Sequence, residues 1–174
     1  CDAKQDPQSA LQALETAWQG LSNKLKNDQH LVASYATELL RLNAQEQAES
    51  LLRHALKNGL DDQLLELYGR TLAKDAVRQL QEAESWLKHA PNNPILLRTL
   101  GRLSIRNQLW GKARDYFESS LKLSRQAHTC AELARLLSHL GDVQRSNALF
   151  AESFQLLEQS LPVLAQPALQ KNSV

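Results

Sequence analysis

Little in this chain favours strands or covalent bracing. Glycine (6) and proline (5) are scarce among 174 residues and aromatics make up 5%, while Leu, Ala, Gln, Glu, Lys and Arg dominate, a palette rich in helix formers and poor in strand formers. An all-α fold is expected. The two cysteines, Cys1 and Cys130, lie far apart with no Cys-x-x-Cys and no histidine at ligand spacing, which excludes a disulfide framework or a zinc site and points to a reduced compartment. No apolar run approaches the roughly 20 residues that span a bilayer, and no secretory leader opens the chain, so a soluble domain is expected. A formal charge of +1 gives no global field for nucleic acid or an anionic membrane; any basic surface must come from local sorting of charge.

What the chain does have is an internal repeat. The stretches "SYATELLRLNAQEQAESLLRHAL" (34–56), "TLGRLSIRNQLWGKARDYFESSL" (99–121) and "ELARLLSHLGDVQRSNALFAESF" (132–154) align without a gap. Small residues coincide at Ala36, Gly101 and Ala134, then at Ala48, Ala113 and Ser146; bulky ones coincide at Leu52, Phe117 and Phe150. Between the first two lies room for another unit, "LLELYGRTLAKDAVRQLQEAESWLKHAPNNP", with Gly69 at the small position and a shortened turn around Ala73 to Asp75. The spacing resembles the tetratricopeptide repeat (TPR), a helix-turn-helix of 34 residues. Gly101 lets the first helix approach the second, and Phe117 fills the wedge between hairpins.

The expected architecture is a right-handed α-solenoid. Residues 1–8 fray, and a single domain of residues 9–161 comprises an N-terminal helix at 9–28, capped by Ser9, and units at about 29–60, 61–93, 94–126 and 127–161. Pro91 and Pro94 bracket the turn into the third unit, and Pro162 and Pro167 stop the last helix before a flexible tail at 162–174. Trp18, Trp86 and Trp110 are expected in or partly in the core. Glu46, Glu49, Glu82 and Glu84 are expected on solvated faces.

Four stretches go beyond a generic repeat: "LKNDQHLVASYATELLRL", "LDDQLLELYGR", "EAESWLKHAPNNPILLRTLGRLSIRNQLWGKARDYFESSL" and "AELARLLSHLGD". Together they resemble the C-terminal TPR region of the bacterial HemY-type proteins associated with haem biosynthesis, over about residues 11 to 155. The resemblance implies a membrane-tethered scaffold for haem-pathway proteins at the inner membrane, with this part exposed on the cytoplasmic face. It implies no catalytic residue, and the chain has no Gly-x-Gly-x-x-Gly for a flavin.

The repeat phase also marks a candidate site. Arg98, Arg102 and Arg106 recur every four residues, a spacing at which like charges repel by a few tenths of a kcal/mol per pair. The phase turns them, with Ile95 and Ile105, toward the groove lined by the first helices. Arg102 is matched by Arg70, Arg135 and Thr37, and Arg106 by Lys74, His139 and Arg41. A cationic ladder of Arg41, Arg70, Arg98, Arg102, Arg106, Arg135 and His139 suits a protein partner with an acidic or helical segment, because guanidinium forks match carboxylates. Glu66 and Glu132 are placed to neutralise Arg70 and Arg135 internally.

The alternatives are a porphyrin held through its propionates, or a lipoprotein-type TPR assembly factor acylated at Cys1; a homo-oligomer through apolar surface at the C-terminal end is also compatible. No cofactor, metal or nucleic acid is expected. The five histidines and His128 beside Cys130 give no joint ligand set, and aromatics for base stacking are lacking. Without a Ser/His/Asp spacing or a nucleophile elbow, enzymatic activity is not expected.

Overall fold

The computed structural model describes residues 7–158, which form ten α-helices and one 3₁₀ turn without a strand. The chain falls into two compact units, Cys1–Ser124 and Arg125–Val174. The first holds α1 (Pro7–Gln19), α2 (Asn23–Lys26), α3 (Gln29–Arg41), α4 (Gln45–Asn58), α5 (Asp62–Tyr68), α6 (Ala76–Ser85), the 3₁₀ turn Trp86–Lys88, α7 (Pro94–Arg106) and α8 (Trp110–Leu123). The second holds α9 (Ala127–His139) and α10 (Val143–Glu158). Three hairpins pair a first helix with a second, α3 with α4, α7 with α8 and α9 with α10, whereas α5 and α6 both pack on α7, and consecutive first helices α3, α5 and α7 also touch.

Helix starts are written locally. Asp28, Asp61 and Asp75 each accept from the backbone N–H three residues on, at 3.0, 3.0 and 2.9 Å. Asn93 accepts from Ile95 and Leu96, and Pro94, which has no N–H to lose, takes the first helical position. The turn inside three hairpins is also one motif. Asn43, Gln108 and Gly141 are left-handed, with φ of 60°, 58° and 85°. The following N–H groups of Ala44, Leu109 and Asp142 return to the carbonyls of Leu39, Ser104 and Leu137 at 2.8 to 2.9 Å. That closes the first helix with a Schellman-type cap and aims the next one back along it.

Packing repeats as well. A Cβ on Gly101 would lie 2.6 Å from the Phe117 ring, so the small residue makes room for the aromatic of its own hairpin rather than for a wedge between hairpins. Ser120 and Ser153 tie the second helices to the Pro94 and Ala127 carbonyls at 2.7 and 2.8 Å. The first unit's core runs from Val32 and Ala36 through Leu52, Leu65, Tyr68 and Trp86 to Leu100 and Leu103.

Several expectations are corrected. The N-terminal helix is two: α1 already includes residues 7 and 8, so Ser9 lies inside it rather than capping it, and residues 20–22 separate it from α2, capped by Ser22. Trp86 is buried and Trp18 stacks on Tyr35 at 4.2 Å, but Trp110 is exposed. Glu49 is not a solvated carboxylate, since it accepts from the Tyr68 hydroxyl at 3.0 Å and from Arg53 at 3.1 Å; burial and then Glu49 push the Tyr68 hydroxyl pKa up. Glu84 likewise accepts from Tyr116 at 2.9 Å and pairs with Lys112. Residues 1–6, the expected end of the last helix near Leu161, Pro162, Pro167 and the tail lie outside the described residues.

Candidate functional site

The site grows out of an irregularity. α5 has 7 residues where α3, α7 and α9 each have 13. The sequence suggests a short turn near Ala73; instead the helix itself stops at Tyr68, and residues 69–75 form an irregular connection that opens with a turn at residues 69 and 70. An early stop leaves backbone groups without intrahelical partners, and side chains from both neighbouring hairpins supply them. Gln45 and Glu46 of α4 accept from the N–H groups of Leu72 and Lys74, each at 2.9 Å. Buried Gln79 donates to the Thr71 hydroxyl at 2.8 Å and to the Tyr68 carbonyl at 3.3 Å. Asn107 donates to the Ala76 carbonyl at 3.0 Å.

The arginine column of α7 completes this set. Arg106 donates to the Gly69 carbonyl at 3.0 Å and to the Thr71 carbonyl. Arg102 donates to Glu66 Oε1 at 2.9 Å, Arg70 reaches the same oxygen at 3.0 Å, and Arg98 takes Oε2. Thr99, between them, donates to the Leu65 carbonyl at 2.9 Å. Three guanidiniums thus converge on one carboxylate while a fourth grips the backbone beyond it. All stand at the C-terminal end of α5, where the helix dipole favours cations. Repulsion along α7 is offset by a shared counter-charge one repeat earlier.

Titration follows from this geometry. Burial alone would raise the Glu66 pKa, but the charges of Arg102 and Arg98 and their hydrogen bonds outweigh it and hold the carboxyl below its ordinary value. Burial, then the neighbouring Arg102, lower the Arg106 pKa. The expectation that all three α7 arginines face an open groove is corrected for Arg98, which is 6% exposed. Arg102 and Arg106 are half-buried, and Arg70 and Arg41 are exposed, Arg41 pairing with Glu38 at 3.3 Å. Arg135 and His139 are exposed on α9 of the second unit. The structure therefore brings together Arg70, Arg98, Arg102 and Arg106. Glu66 was visible as a partner for Arg70, but its hold on Arg98 and Arg102 was not, nor were the parts played by Thr99, Asn107 and Gln79. Their signal is distance along the chain: 32, 34, 35 and 36 residues separate Arg98 from Glu66, Thr99 from Leu65, Arg106 from Thr71 and Arg102 from Glu66, about one repeat each.

Among the described residues no group of three His, Cys, Asp or Glu side chains is placed to hold a metal ion, and no helix is long and apolar enough to cross a membrane. His128 is exposed whereas Cys130 is buried.

No family model matches the chain. It is similar to Protein HemY of Escherichia coli strain K12 and to Protein HemY of Shigella flexneri, 24% identical to each over 151 residues, 87% of this chain and 38% of theirs. It thus spans well under half the length of the curated relatives it matches, and resembles a TPR region of HemY-type proteins. Among solved structures it is similar to MamA from Desulfovibrio magneticus RS-1, with a TM-score of 0.58 and 17% identity, covering 88% of this chain and 86% of that one. A second MamA crystal structure gives a TM-score of 0.58 at 9% identity, covering 89% and 91%. The fold is that of an all-α TPR solenoid.

Proposed function

We propose that the protein is a non-catalytic scaffold whose first-helix face holds acidic segments of haem-biosynthesis proteins at the bacterial inner membrane. One observation carries the reading. Glu66 is gripped by guanidiniums from two successive repeats, so helix spacing in this fold already suits forked recognition of a carboxylate. Arg41 and Arg70 are exposed to a partner in the first unit, and Arg135 and His139, each considered by itself, are exposed in the second, while Arg98, Arg102 and Arg106 hold the wall in shape. The link to haem biosynthesis and to the inner membrane comes from the likeness to HemY. Preformed helical surfaces of TPR type bind extended or helical segments without ordering themselves first, which keeps the entropic cost on the partner.

The test is affinity capture from a bacterial membrane extract with the unaltered chain and with an Arg41→Glu, Arg70→Glu, Arg135→Glu variant. Haem-pathway enzymes recovered by the first and depleted at least several-fold in the second support the reading. Equal recovery by both removes the cationic face, and recovery of only unrelated proteins removes the pathway. A Soret shift on titrating haem, abolished in the same variant, replaces the acidic segment with a porphyrin.

A further inference from the structure

A cavity of about 460 Å³ opens between α2, α3, α4 and the start of α5, within the size range of small-molecule sites. Its floor is apolar. Val32 and Leu64 are 2% and 1% exposed, and half-buried Leu51 and Ala55 of α4 pack against the same core. Its rim is polar and of one sign. Lys26, Gln29, His54 and Asn58 supply N–H donors, and among the described residues no Asp or Glu lines it. His54 and Asn58 stand four residues apart, so they share one flank of α4. Lys26 ends α2, and its ammonium donates to the Gln19 carbonyl at 3.0 Å, which holds the charge in place and leaves two N–H donors. The neighbouring acids Asp28 and Asp61 are engaged as helix caps, accepting from the N–H groups of Leu31 and Leu64.

We infer that this cavity binds a small organic monocarboxylate, its compact apolar body on the floor and its carboxylate on Lys26 and the neighbouring donors of the rim. Each half of that ligand answers one half of the wall. An inorganic anion leaves the apolar floor without a partner. An uncharged apolar molecule displaces water from the donors and gives them no acceptor, which costs what a lost hydrogen bond costs. A cation meets Lys26. One lysine suits one negative charge, and ammonium-to-carboxylate hydrogen bonds are of the strong, charge-assisted kind. The site is separate from the cationic first-helix face, since none of Arg41, Arg70, Arg135 or His139 lines it.

Phenylacetate is the probe, titrated into the isotope-labelled 174-residue chain and followed by amide chemical shifts up to about 10 mM, a range that brackets millimolar binding. The expected result is saturable shifts centred on residues 26–32 and 51–59, with the side-chain amides of Gln29 and Asn58 among them. Phenylacetamide binds about tenfold more weakly, the loss of one charged hydrogen-bond partner, and inorganic phosphate gives no saturable shift. Lys26→Gln, which keeps a donor for the Gln19 carbonyl, weakens phenylacetate by a similar factor with an unchanged thermal melt. Lys24→Gln, exposed and outside the wall, leaves it unaltered. Equal affinity for phenylacetate and phenylacetamide overturns the inference, as does phosphate binding at the same residues. So does a titration without saturation, whether the cavity is then empty or filled by residues outside 7–158, and so do shifts centred on Arg41 and Arg70. Tighter binding of the tripeptide Gly-Gly-Phe overturns the free acid in favour of a chain end.

Discussion

In α7–α8 the two helices meet over Gly101 with the Phe117 ring pressed against it, and a left-handed Gln108 closes the turn. In α5–α6, one repeat earlier, there is no left-handed residue and no such ring. Instead Glu66, the Thr71 hydroxyl and the carbonyls of residues 69 and 71 are met by polar side chains, several from neighbouring hairpins. Both hairpins bury apolar side chains, Leu100, Leu103 and Phe117 in one and Leu64, Leu65, Tyr68, Leu80 and Trp86 in the other, but α5–α6 adds a clamp of charge and hydrogen bonds to what flanks it. Apolar packing is tolerant of pH and salt, whereas a polar clamp is strong only while every member is present.

The comparison is sharpened first by Phe117→Ala. Phe117 is fully buried, and truncation leaves a cavity beside Gly101 that helix backbones cannot collapse to fill; a loss of about 3–5 kcal/mol is expected from the chemical-denaturation midpoint. Glu66→Ala attacks the other hairpin by leaving Arg98 buried without that carboxylate. A buried pair broken in this way costs about 3–5 kcal/mol, but the Glu66 side chain is 19% exposed, so about 2–3 kcal/mol is expected. A loss as small as that of a surface pair would dissolve the contrast.

Acid should separate the two hairpins without any truncation. The folded-state pKa of Glu66 lies below its ordinary 4.5, so its stabilisation is fully present above that value and is lost as pH falls through the lower folded value. Stability measured between pH 7 and pH 3 for the unaltered chain and Glu66→Gln should converge toward the acid end, where both carry a neutral side chain. Phe117→Ala should keep its deficit throughout. The smallest effect is a gain: Gln108→Gly, at φ 58°, relieves a left-handed side chain and should stabilise by about 0.5–1 kcal/mol, with no counterpart available in α5–α6.

The same contrast explains what could be read beforehand. Gly101, Phe117 and Pro94 act through local geometry; the repeat alignment paired the small position at Gly101 with the bulky one at Phe117, and Pro94 was legible as a helix boundary. Arg98, Arg102 and Arg106 share one flank, as their spacing requires, but that flank lies against Glu66 and the connection after α5 rather than open. What a helical wheel does not contain is the neighbour one repeat away, so the burial of Arg98 against Glu66 was missed. The early end of α5 was missed for a related reason. Nothing in "TLAK" (71–74) forbids helix; the irregular path persists because Arg106, Asn107, Gln45 and Gln79 satisfy its backbone groups, a tertiary override of local propensity. Trp110, expected inside and found exposed, shows that an aromatic beside a turn need not belong to the core.

The non-helical connection after α5 bears on how such a chain can be rebuilt. Repeat proteins are often treated as strings of interchangeable parts, but α5–α6 is soldered on both sides: excising it would strand Gln45 and Glu46 behind it and Arg106 and Asn107 ahead. Any shortened or lengthened version must keep this hairpin with both its neighbours, so the smallest transferable cassette runs from α3 to α8.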